Sequence, residues 1–85
     1  MKRVLFHPRS LKFLKKISKS DSTRVLNHIS QLENVRKHPN LDIKKLATAK
    51  KTYRLRVGTI RVIFEMGENS NIIYIHDIDY RGNIY

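Results

Sequence analysis

The hydrophobic pattern changes period several times along the chain, and each change marks an element. Val4, Leu5 and Phe6 are consecutive, so a strand over Lys2–His7 is apolar on both faces. Such a run predicts a strand inside a sheet rather than at its edge. Pro8, which has no N–H to give a ladder, ends it. From Arg9 to about Lys19 the period becomes helical. Leu11, Phe13, Leu14 and Ile17 share one half of the wheel, and Lys12, Lys15, Lys16 and Lys19 the other. Ser20-Asp21-Ser22 offers side-chain oxygens to the open amides of a second helix. That helix runs to about Lys37, with Val25, Leu26, Ile29, Leu32 and Val35 on one side. Pro39 stops it, because the residue before a proline disfavours the helical region.

Asn40–Lys51 reads as a polar, lysine-bearing connection anchored by Leu41, Ile43 and Leu46. Beyond it the period is two: Tyr53, Leu55 and Val57 alternate with Arg54 and Arg56. Gly58-Thr59 makes a two-residue turn, with glycine where a hairpin needs positive φ. Ile60–Met66 is the return strand, Gly67–Asn71 a second turn, Ile72–Ile78 the last strand, and Asp79–Tyr85 a short polar tail. The order strand–helix–helix–strand–strand–strand predicts an α+β fold. A helical hairpin should pack on one face of a small, mostly antiparallel sheet. At 85 residues this is one domain, 1–85.

The hairpin has a chemical consequence. A two-residue loop at Gly58-Thr59 pairs Val57 with Ile60, Arg56 with Arg61, Leu55 with Val62 and Arg54 with Ile63. Directly opposed residues share a face. Tyr53, Leu55, Val57, Ile60, Val62 and Phe64 therefore point to the helices, while Arg54, Arg56 and Arg61 gather on the other side. Opposed like charges destabilise a sheet, so this arrangement calls either for an anionic ligand or for a structural ion pair with Glu65 or Asp77. Guanidinium forks suit phosphate, which they hold bidentately.

Charge points the same way. The chain carries a formal net charge of +11, spread through both halves. A small domain this basic draws polyanions, so nucleic acid or ribosome leads as partner class, ahead of an acidic protein and anionic lipid. A basic surface serving solubility alone is the plainest alternative. On the same terms Lys12, Lys15, Lys16, Lys19, Lys50 and Lys51 are candidate phosphate contacts, or simply solvated lysines. There is no cysteine, hence no disulfide, thiolate metal site or thiol nucleophile. No apolar run approaches the ~18 residues needed to span a bilayer. Met1-Lys2-Arg3 is followed by only three apolar residues, too few for a secretory leader. A cytoplasmic protein without membrane attachment is expected.

The reactions open to such a site are few. No nucleophile–histidine–carboxylate order, H-E-x-x-H motif or glycine-rich phosphate loop occurs. Asp77 and Asp79 have no partner acid near them in sequence, and the four histidines stand apart, so no metal or other cofactor is expected. His7 and His76, both on strands, are the two histidines with a possible role. RNA cleavage without a metal stays open. RNA carries its own nucleophile, the 2′-hydroxyl, and arginines with a tyrosine supply positioning and charge stabilisation.

The element order, the segment Tyr53-Arg54-Leu55-Arg56-Val57-Gly58-Thr59-Ile60-Arg61-Val62-Ile63-Phe64 and the ending Asp79-Tyr80-Arg81-Gly82-Asn83-Ile84-Tyr85 together resemble the RelE toxins of toxin–antitoxin systems. The resemblance covers the whole chain. It implies cleavage of messenger RNA in the ribosomal A site and inhibition by a cognate antitoxin. It implies that Arg54, Arg56 and Arg61 hold and activate the scissile phosphate, that Arg81 serves the leaving group, and that Tyr85 stacks on or orients a base. Well-studied members have lysines at Arg54 and Arg56, and many have histidine where Tyr80 stands. Arginine does not give up its proton, so the general base is unassigned, with Tyr85 ranked ahead of His76. The related ParE toxins, which act on DNA gyrase, typically lack the full basic-plus-tyrosine set. They form one alternative, and a module that binds RNA or ribosome without cutting forms another.

Overall fold

The computed structural model describes residues 2–47, 50–67 and 70–80. Its elements are β1 (Arg3–Phe6), α1 (Pro8–Lys16), α2 (Lys19–Gln31), a 3-10 stretch (Leu32–Lys37), β2 (Asp42–Lys45), β3 (Thr52–Val57), β4 (Ile60–Met66) and β5 (Ile72–Tyr80). Five strands form one sheet in the order β1-β5-β4-β3-β2. β1 runs parallel to β5, and every other pair is antiparallel. The fold is α+β, with two helices against a mixed sheet.

Local chemistry explains most boundaries. Pro8 ends β1 and also opens α1 at its first turn, where the missing N–H costs nothing; the His7 side chain caps that turn by accepting from the Arg9 amide. α1 stops at Lys16, short of Lys19, because Ser18 turns extended and caps α2 through the Asp21 amide at 3.2 Å. Ser20, Asp21 and Ser22 are therefore inside the second helix, not its cap. α2 itself gives way at Leu32 to the tighter 3-10 path, and Asn34 is non-helical at φ −145° and ψ 79°.

The core is made by one face of the hairpin with the helices over it. Leu55, Val57, Ile60, Val62 and Phe64 are buried, and meet Leu14, Val25, Ile29 and Leu32 from the helical layer and Ile73, Ile75 and Ile78 from β5. Tyr53 stacks on Phe64 with ring centroids 5.5 Å apart. Burying such side chains is worth roughly 1.5–3 kcal/mol each. Gly58 has φ +60°, as the two-residue turn demands, and Arg24 of α2 lies over it.

Three expectations about the strands fail here. β1 is an edge strand, with a single neighbour. Val4 and Phe6 pack on the core, but Leu5 is on the opposite, open face and is exposed. An apolar run fixes burial on one face only; which strand flanks β1 depends on a pairing with β5, about 70 residues away in sequence. The segment read as a connection also contains β2, which pairs along β3 through Ile43 and Leu55. Finally, β5 continues through Asp79 and Tyr80, which the sequence pattern places in the tail.

Candidate functional site

The register of the hairpin is the one its turn predicts: Val57–Ile60, Arg56–Arg61, Leu55–Val62 and Arg54–Ile63. Followed across the sheet, it lays out the face away from the helices in rows. One row runs Asp42, Arg56, Arg61, Asp79 across β2, β3, β4 and β5. The next runs Lys44, Arg54, Ile63, Asp77. A third brings Thr52, Glu65, Tyr74 and Leu5 together.

The first row is balanced in charge. Two arginines stand side by side, each with a carboxylate as its outer neighbour. Arg54 Nη2 donates to Asp42 Oδ1 at 2.7 Å, and Arg56 Nε lies 3.7 Å from Asp42 Oδ2. The first is a short charge-assisted hydrogen bond; the second is too long for one and acts as an ion pair. The Arg54 side chain is only 11 % exposed, whereas that of Arg56 is 36 % exposed. The Nε atoms of both are closed to solvent and without a hydrogen-bond partner among the described residues. Arg54 is therefore largely a structural cation, and Arg56 is better placed to meet a ligand.

These carboxylates correct the sequence reading. Neither Glu65 nor Asp77 pairs with an arginine side chain in the ion pairs resolved; Glu65 takes His76 instead, with Nε2 to Oε1 at 3.0 Å. Asp42 went unseen because β2 did. The alternation Leu41-Asp42-Ile43-Lys44 was the available signal.

The lysines do not join the arginines. Lys12, Lys15 and Lys16 are exposed on α1, in the helical layer. Lys12 and Lys16, with Arg9, Phe13 and Ile17, line a groove of about 450 Å³ whose other wall is Asp77–Tyr80. They meet the acidic end of β5 rather than Arg56 and Arg61. Lys19 is the first residue of α2, not part of the α1 face. Lys50 and Lys51 are exposed in the turn before β3, and Lys51 has φ 59°. Arg81 and Tyr85 lie outside the described residues. The described residues contain no group of three or more histidines and carboxylates able to hold a metal ion. None of their helices is long and apolar enough to cross a membrane.

Residues 4–85 match the family model of the ParE toxin of the type II toxin–antitoxin system parDE. Among solved structures, the chain is similar to the archaeal RelE–RelB complex of Pyrococcus horikoshii, with 29 % identity, 96 % of this chain and 97 % of that chain covered, and a TM-score of 0.78. The RelB–RelE antitoxin–toxin complex of Methanococcus jannaschii gives 28 % identity, 95 % and 94 % coverage, and a TM-score of 0.75. The intact Escherichia coli RelBE complex shares the fold at 15 % identity, with 98 % and 99 % coverage and a TM-score of 0.72. No curated protein matches the sequence. The chain belongs to the ParE toxin family, within the RelE/ParE superfamily of type II toxin–antitoxin toxins.

Proposed function

We propose that this toxin is a ribosome-dependent endoribonuclease that cleaves messenger RNA in the A site. The observation that carries the reading is the pair Arg56 and Arg61, directly opposed on a rigid sheet face, with Arg54 one row along. Paired guanidiniums with unlike surroundings suit a phosphodiester whose charge grows in the transition state. Arg61 and Arg56 would hold the phosphate, Arg81 would serve the leaving oxygen, and Tyr85 would stack on a base. The similarity to the two archaeal RelE proteins supports this assignment. Those toxins form complexes with RelB antitoxins, and a cognate antitoxin is proposed for this chain on the same ground. Lys12, Lys15, Lys16, Lys19, Lys50 and Lys51 would add sequence-independent attraction to ribosomal RNA.

A second reading, action on DNA gyrase, is favoured by the ParE family match and by the charge balance of the Asp42–Asp79 row. Mapping messenger RNA 5′ ends after brief induction separates the two. New ends inside reading frames, clustered by codon position, are expected. Growth arrest with intact messages and damaged DNA would assign the chain to gyrase, and stalled ribosomes without new ends would make it a binder only.

A further inference from the structure

Cleavage through the 2′-hydroxyl needs a group that accepts a proton, and arginine cannot. Among the described residues, the strands carry one imidazole on the face with the arginines, that of His76. β4 and β5 shift register between Ile63 and Phe64: Ile63 faces Asp77, Phe64 faces Ile75, and His76 is the extra residue between them. The bulge turns His76 out of the ladder beside the arginine rows, an office bulges often serve near reactive sites. Its Nε2 lies 3.0 Å from Glu65 Oε1, and a carboxylate can only accept there, so Nε2 carries the hydrogen. That leaves Nδ1 with its lone pair and no hydrogen bond among the described residues. The Tyr74 ring meets the imidazole edge to face, with centroids 4.6 Å apart, and fixes its plane.

We propose that His76 is the general base of this site and Glu65 its positioning residue; the proposal rests on the endoribonuclease reading above. His76 stands three residues along β5 from Asp79, the partner of Arg61, so about 10 Å of strand separates it from the row that holds Arg56 and Arg61. An arginine side chain and a phosphodiester together bridge that gap. In the step, Nδ1 takes the proton of the 2′-hydroxyl. The 2′-oxygen bonds to phosphorus as the bond from phosphorus to the 5′-oxygen breaks. The products are a 2′,3′-cyclic phosphate and a 5′-hydroxyl, whose proton comes from water, and the imidazolium returns its own to solvent. The hydrogen bond to Glu65 sets the tautomer and the orientation of the ring, as in other carboxylate–histidine pairs.

The charged and titratable groups around His76 are Glu65 on β4, Tyr74 and Asp77 on its own strand, Arg54 two strands away, and His7 past the end of β1. The His7 amide bonds Ile75 O at 2.8 Å, and its ring is engaged by Arg9.

The test is single-turnover cleavage of messenger RNA on ribosomes with an empty A site, followed from about pH 5 to pH 8.5, where an imidazole titrates. Wild type should gain rate with pH at unit slope and then level off. His76→Ala should lose roughly 100-fold or more, lose the acid limb, and regain rate with added imidazole. Glu65→Gln should lose less rate than His76→Ala, and the lost rate should return in Glu65→Asp, which restores a carboxylate to orient the imidazole. Tyr85→Phe should keep the limb. His76→Gln, with circular dichroism of each variant, guards against misfolding. Near-wild-type cleavage by His76→Ala and His76→Gln, or a surviving acid limb in them, overturns the assignment while leaving the nuclease intact. A wild-type protein that cuts no message overturns the nuclease reading, and this proposal with it.

Discussion

The two faces of the β3–β4 hairpin come from alternate residues of the same two strands, yet they obey different physics. Leu55, Val57, Ile60, Val62 and Phe64 are almost wholly closed to solvent and are held by contact alone. Arg54, Arg56 and Arg61, one residue along in each case, are held in position by strand register and by neighbouring carboxylates. The inner face is where stability resides. The outer face gains a fixed geometry from it, so its side chains can change without loss of the fold. That division is what a reactive site on a sheet needs: strands supply positions far more firmly than loops or helix surfaces.

The comparison can be broken by substitution. The largest effect on folding is expected from Phe64→Ala, which should cost about 3–5 kcal/mol in urea or thermal unfolding, by lost burial and a residual cavity. A loss no larger than that of an outer-face variant would mean that the core is not where the hairpin is anchored. Asp42→Asn should cost less, about 1 kcal/mol, because Asp42 is half exposed and its pair with Arg54 is partly screened. The same change should raise affinity for polyanions, by releasing Arg56 and Arg54 from their carboxylate. Measuring unfolding and heparin binding on one preparation checks both signs. Lys15→Ala should alter stability and cleavage least, within a few tenths of a kcal/mol, since Lys15 is an exposed helix residue. Its effect should appear as a slightly flatter salt dependence of ribosome binding, by about one unit of slope or less.

The hairpin was legible in the sequence because its register follows from a local device. Gly58-Thr59 leaves room for only two loop residues, and period-two alternation then assigns every side chain on β3 and β4 to a face. The carboxylates that complete the arginine rows were not legible in the same way. Asp42 belongs to a four-residue edge strand with a single apolar side chain, Ile43, at its centre, too short to stand out from a loop. Asp79 faces Arg61 through a pairing between β4 and β5, whose register shifts by a bulge that no periodicity announces. The same bulge brings His76 beside Glu65. The α1 lysines illustrate the opposite error. Their helical spacing was correct through Lys16, but a helix wheel does not tell which layer faces the arginines.

Under the proposed function, fixed arginine geometry on the outer sheet face, rather than total charge, should carry the toxin's activity. Arg61→Ala and Lys15→Ala each remove one positive charge, and so they isolate geometry from charge. Single-turnover cleavage on programmed ribosomes, with urea midpoints for both variants, is the direct measurement. Arg61→Ala should lose about 100- to 1,000-fold in rate, equivalent to about 2.7–4 kcal/mol of transition-state stabilisation, while unfolding within about 1 kcal/mol of wild type. Lys15→Ala should cut within threefold or so of wild type, the scale of one exposed charge. Equal losses in the two variants would make net charge, not site geometry, the cause.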